Sequence, residues 1–177
     1  SGKQGRALAI ELSARGYEII YIHSASIDHI PGLDNVSFHS SNDLKNKILE
    51  NINNTDAIFM TAAVSDFTVK KSSGKISRSN GNITLEFIPN EDIIATIKSS
   101  YPEIKCIAFS AQVDDELNFN KINTKKVDYL VINNILKNNF GSDANKVSII
   151  DHQHLIFESE ELDKNEISRD ILNALEY

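Results

Sequence analysis

The chain has 177 residues, 41% of them hydrophobic and 24% charged, with a formal net charge of −7. That length suits one domain with a sizeable core. The acidic balance argues against broad binding to nucleic acid or to an anionic membrane, and no apolar run is long enough to span a bilayer.

The single cysteine, Cys106, can form no internal disulfide, which is compatible with a reducing compartment. With no signal peptide, a cytoplasmic location is expected. The first residue is serine rather than methionine, so a start upstream of Ser1 is expected. On so acidic a protein, any anionic ligand must be held by a local cluster of cations.

Ala7, Leu8, Ile10, Leu12 and Ala14 predict a helix over residues 2–15, stopped at Gly16. Residues 17–22 read as a buried strand. A polar loop with Pro31-Gly32 follows, then a short strand at 36–38. Leu44, Ile48 and Leu49 mark a helix over 42–51. Residues 56–61 form a second buried strand, followed by Ala62-Ala63-Val64-Ser65-Asp66-Phe67 and a polar stretch over 68–81.

Residues 83–88 alternate like a strand. Helix is expected over 91–100, strand over 106–109, helix over 116–126 and strand over 129–132. Residues 146–151 and 155–157 read as a closing antiparallel hairpin, and the tail from Lys164 is helical. Apolar strands alternating with amphipathic helices give an α/β fold, Rossmann-like, with three αβα layers and a mostly parallel sheet. Ligands of such sheets bind beyond the carboxyl ends of the strands.

Several segments fall in that zone. Ser1 to Gly5 opens a helix, where free N–H groups favour phosphate; an ordinary glycine turn explains it equally well. Asp66 suits a ribose hydroxyl or a metal, or simply caps its loop. Lys70, Lys71, Lys75 and Arg78 crowd one loop that can close over phosphates or lie solvated.

Lys121 and Lys125 share one helix face, with no acid at helical pairing distance before either. They can meet phosphates or stay exposed. Phe109 can stack on a base or pack the core, and the Asn133-Asn134 amides can read a ligand or cap a strand. His152 and His154 have no further ligands to complete a metal site, and no Ser–His–Asp or Cys–His arrangement is evident.

The order of these segments is more specific than any one of them. Ser1-Gly2-Lys3, Ala62 to Phe67, Lys75-Ile76, Asn90-Glu91-Asp92-Ile93, Ala108 to Ala111, Lys121 and Lys125, and Phe140-Gly141-Ser142-Asp143-Ala144-Asn145 follow in turn. The succession resembles the phosphopantothenate–cysteine ligase family, which forms the second half of bifunctional coenzyme A biosynthesis proteins, and it covers essentially the whole chain.

The resemblance implies a single nucleotide-binding ligase domain over residues 1–177, lacking the family's first strand and the asparagine that stabilises the acyl-nucleotide. Without that asparagine, this chain by itself should be catalytically impaired. The implied reaction activates 4′-phosphopantothenate with CTP as an acyl-cytidylate, then condenses it with cysteine. Mg²⁺ would accompany the nucleotide, and ATP is a possible substitute for CTP.

By the same resemblance Met60, Thr61, Ala62 and Asp66 would line the nucleotide. Lys75 would be the catalytic flap lysine, acting on the triphosphate. Asn90, Glu91, Asp92 and Ile93 would touch the base. Phe109, Lys121 and Lys125 would complete the nucleotide site, and Gly2 and Gly5 would cradle the phosphate of phosphopantothenate. A homodimer is implied.

The chain departs from the family pattern at Glu91, where proline is usual, and at Ser110-Ala111-Gln112, where Ala-Ala-Glu is usual. Two other readings remain open at this point: an NAD(P)-binding oxidoreductase, for which no Tyr-x-x-x-Lys is convincingly placed, and a non-catalytic nucleotide-binding domain.

Overall fold

The computed structural model describes residues 2–70, 82–112, 117, 119–134 and 144–177. Its core is a five-stranded sheet. In chain order its strands are β3 (Ala57–Met60), β6 (Lys105–Gln112), β7 (Tyr129–Asn134), β9 (Val147–Ile150) and β10 (Leu155–Glu158). The spatial order is β10-β9-β7-β6-β3. β3, β6 and β7 run parallel, and β9 and β10 add the antiparallel hairpin.

A separate parallel pair joins β1 (Ile20–Ser24) to β2 (Asp34–Phe38). β1 begins later than residue 17 because the chain leaves its first helix through Gly16 at φ 91°, a conformation that suits glycine.

Alternation along β6 sorts the core into two layers. Cys106 and Ala108 face one side, with Leu44 and Ile48 of α2 (Ser41–Asn51), Ile93, Ile94 and Ile97 of α3 (Ile93–Ser100), and Ile122 of α4 (Phe119–Lys125). Ile107 and Phe109 face the other, with Leu8 and Leu12 of α1 (Lys3–Ala14) and Ile167, Ile171 and Leu172 of α5 (Lys164–Ala174). Period-2 strands between period-3.6 helices thus give the three layers expected.

The helix starts are set locally. Ser40 accepts the Asp43 N–H at the head of α2. Asp163 and Glu166 form a reciprocal capping box on α5, which satisfies two otherwise orphaned donors.

Between β1 and β3 no described strand intervenes, and a cavity of about 500 Å³ lies there, lined by residues such as Leu8, Tyr21, Ile48 and Phe59. This explains why β3 is only half-buried along its length, against the strong burial its composition suggests.

A second correction concerns residues 83–88. Only β5 (Phe87–Pro89) is a strand there, paired antiparallel with β4 (Phe67–Val69). The alternation at Ile83 and Leu85 does not serve a core, because both side chains are exposed.

Candidate active site at the carboxyl ends of the sheet

A cavity of about 640 Å³ opens beyond the carboxyl ends of β3 and β6, within the size range of small-molecule sites. Its floor is Met60, Ala62 and Ala63 from the end of β3 and Ala108 to Ala111 from β6. Small side chains keep it open. One wall is residues 90–94 at the head of α3, and the opposite wall is α4, with Asn120, Lys121, Thr124 and Lys125.

Asn90 ties these parts together. Its backbone N–H donates to the Asp66 carbonyl at 2.7 Å, and its amide Nδ2 donates to the Ser65 carbonyl at 3.0 Å. The Ser41 hydroxyl of α2 donates to its Oδ1 at 3.4 Å. The loop that ends β3 is thereby fixed to the first turn of α3. Asp66 lines the cavity from this loop.

Glu91 is neutralised from α2. Lys45 Nζ lies 2.7 and 2.8 Å from its two oxygens. That bond, with help from Thr96, holds the Glu91 carboxyl below the ordinary value. Asp92 caps α3, its Oδ1 accepting the Ala95 N–H at 3.1 Å. Its other oxygen receives Lys125 Nζ at 3.1 Å.

That last contact corrects the sequence reading of Lys125 as unpaired. Its acid comes from another element, 33 residues away, beyond any helical spacing rule. Lys121 also lines the cavity but meets no carboxylate among the described residues. Phe109 packs against the α1–α5 layer, as its core reading expects, and also lines the cavity.

The expected site residues Met60, Ala62, Asp66, Asn90, Glu91, Asp92, Ile93, Phe109, Lys121 and Lys125 therefore converge on one cavity. Thr61 does not join them. It lies on the other cavity, beside Gly5 of α1. A Cβ at Gly5 would approach Thr61 Oγ1 to 2.5 Å, so the glycine permits the close approach of helix and strand. Gly2, at φ 65°, packs against Ile27.

Lys75 lies outside the described residues, as do residues 140–143. Asn133 lies away from the cavity and has an interaction of its own. The sequence reading missed Asn120 and Thr124, which line the cavity from the same helix, each directly preceding one of the two lysines. It also missed Lys45, whose role depends on a partner far along the chain. Among the described residues no three His, Cys, Asp or Glu side chains gather as a metal site.

A family model described as the DNA/pantothenate metabolism flavoprotein C-terminal domain matches residues 1–177. The chain belongs to this family. The bifunctional coenzyme A biosynthesis protein CoaBC of Bacillus subtilis is 31% identical over 156 residues, covering 84% of this chain and 38% of its own length. A cysteine/cysteine sulfinic acid decarboxylase from an unknown prokaryotic organism is 28% identical over 187 residues, 99% of this chain and 51% of the relative.

The chain thus spans about half or less of the curated relatives it matches. Among solved structures, the C-terminal domain of a CoaBC protein superposes with a TM-score of 0.78 at 24% identity, covering 99% of this chain and 83% of that one. The family's flavoprotein from Streptococcus pneumoniae gives 0.76 at 19%, covering 98% and 86%. At those identities the likeness concerns the fold, a central mostly parallel sheet between helices. Among the described residues no helix is long and apolar enough to cross a membrane.

Proposed function

We propose that this domain is a phosphopantothenate–cysteine ligase of coenzyme A biosynthesis that activates its acid with CTP. The observation that carries the reading is convergence: residues from Met60 to Lys125, named from the order of sequence motifs, line one cavity at the carboxyl ends of β3 and β6. Family membership and a relative named for coenzyme A biosynthesis support it.

The chemistry suits the cavity. A carboxylate is a poor acyl donor. In the proposed first step a carboxylate oxygen of 4′-phosphopantothenate bonds to the α-phosphorus of CTP, the bond to the β-phosphate oxygen breaks, and pyrophosphate leaves. The cysteine nitrogen then bonds to the acyl carbon, CMP departs with the former carboxylate oxygen, and the amine loses a proton.

The protein's part is positioning and charge. Lysines on α4 bring positive charge to one wall, and Phe109 offers an aromatic ring at the floor. Asn90 holds the Asp66 loop against the head of α3. Lys75 is proposed to close over the phosphates, and Gly2 and Gly5 to serve the phosphate of phosphopantothenate.

Mg²⁺ would neutralise the triphosphate. It binds through phosphate oxygens with one or two carboxylates. Asp66 fits that role among the carboxylates lining the cavity, since Glu91 is engaged by Lys45 and Asp92 by Lys125.

A homodimer belongs to the same reading. The β4–β5 ribbon exposes Phe67, Val69, Phe87 and Ile88, an apolar surface larger than single scattered residues make. The ribbon springs from Asp66 and returns at Asn90, so a partner copy seated on it stands beside the cavity.

The direct test is pyrophosphate release by the protein that carries this domain, given 4′-phosphopantothenate, cysteine, Mg²⁺ and either CTP or ATP. Release that depends on phosphopantothenate supports the proposal. No release with either nucleotide contradicts it.

A further inference from the structure

His152 and His154 complete no metal site, and the nucleotide reading gives them no task. Topology gives one to His152. β9 runs antiparallel to β7, with Ile150 beside Leu130. The turn after Ile150 therefore lies near the amino end of β7, where α4 delivers the chain to that strand. There His152 Nδ1 stands 2.9 Å from Asn123 Oδ1 of α4. An amide oxygen only accepts, so the imidazole donates from Nδ1.

The turn is built to present that ring. Asp151 Oδ1 accepts the N–H groups of Gln153 at 2.7 Å and of His154 at 2.6 Å. Asp151 N–H donates to the His154 carbonyl at 3.0 Å. Asp151 is thus occupied within the turn, and it is His152 that reaches across to α4.

The helix it reaches depends on outside support. α4 has seven residues, fewer than a helix needs to persist by itself in water. Ile122 anchors it in the core, and Lys126, just past its end, reaches the Ser99 hydroxyl of α3 at 3.2 Å. His152 holds it from a different element, the β9–β10 hairpin. Asn120, Lys121, Thr124 and Lys125 of this helix line the cavity, and Asn123 does not.

We propose that His152 is a positioning residue of the cavity: through Asn123 it sets α4, and with it one wall, from outside. Neither residue lines the cavity, so the effect on substrate is indirect. Its kinetic consequence rests on the nucleotide reading; the contact itself does not.

Two measurements on the protein that carries this domain test it. The first is pyrophosphate release as a function of CTP concentration. His152→Ala should raise the KM for CTP about two- to tenfold, the range one hydrogen bond spans, with kcat within about twofold of the wild type. His152→Asn places an amide nitrogen near the position of Nδ1 and should restore most of the wild-type KM. Asn123→Ala should raise KM as His152→Ala does, although alanine is the better helix former, and the double variant should add nothing further. An unchanged KM in His152→Ala, an equal rise in His152→Asn, or additive losses overturn the positioning role.

The second is amide hydrogen exchange without nucleotide. His152→Ala should speed exchange over residues 119–125 and leave residues 93–100 of α3 as in the wild type. Unchanged protection of α4 overturns the contact. If the wild type releases no pyrophosphate with CTP or ATP, the nucleotide reading and the kinetic role fall together, while exchange still decides whether His152 holds α4.

Discussion

Lys45 shows how a residue outside the cavity shapes it. It reaches from α2 to both oxygens of Glu91, at a position where the resembled family carries proline. The carboxylate is thereby turned into a tether between α2 and α3. Because the Glu91 carboxyl is lowered in the fold, the pair contributes stability above the unfolded carboxyl value. That contribution is lost as pH falls through the lower folded value.

The pair is half-exposed on the Glu91 side, so its share is well under about 1 kcal/mol. In Lys45→Met, the Glu91 midpoint, followed by carboxyl NMR titration, should rise toward the ordinary value, and the acid limb of the stability curve should shift slightly upward in pH. An unchanged midpoint would show that Lys45 is not the cause. The sequence reading named Glu91, which lines the cavity, but had no route to Lys45, because ion pairs between helices follow no local spacing.

At the scale of elements, the strands carrying the site were legible because buried parallel strands are short continuous apolar runs. Residues 106–109 and 129–132 are such runs, and both proved to be strands, longer at the carboxyl end by three and two residues respectively. Residues 83–88 misled because alternation normally reports a half-buried sheet face. Here the apolar side chains point out along a ribbon that leaves the core.

Helix α1 was equally legible, but its contact was not. Gly5 was read as a phosphate-loop residue, and the structure gives it a packing duty as well, against Thr61. Gly5→Ala should therefore destabilise the fold by about 1–2 kcal/mol through overpacking against a stiff β-branched side chain. Adding Thr61→Ala should recover part of that loss, because the alanine relieves the clash. Denaturant titration of the single and double variants checks this; additive losses would mean that the two residues do not press on one another.

At the scale of the molecule, the described residues frame a cavity at the gap between β1 and β3 and another beyond the carboxyl ends of β3 and β6. The three-layer architecture followed from alternating strand and helix signals, but the convergence of distant residues on one cavity required the strand order. The exposed ribbon belongs to this scale too. If a second copy covers it, Phe87→Glu should shift the protein toward monomer in sedimentation velocity while leaving its helix content unchanged. A wild-type protein that is monomeric at every concentration tested would remove the dimer from the account.

The central claim is nucleotide activation of phosphopantothenate in the cavity lined by Asp66, Asn90, Phe109 and Lys121. Isotope transfer tests it most directly. With [¹⁸O]carboxylate-labelled 4′-phosphopantothenate, CTP, cysteine and Mg²⁺, the protein bearing this domain should release pyrophosphate and CMP in equal amounts. One labelled oxygen should appear in the CMP phosphate. Unlabelled CMP formed alongside phosphopantothenoylcysteine would contradict an acyl-cytidylate route.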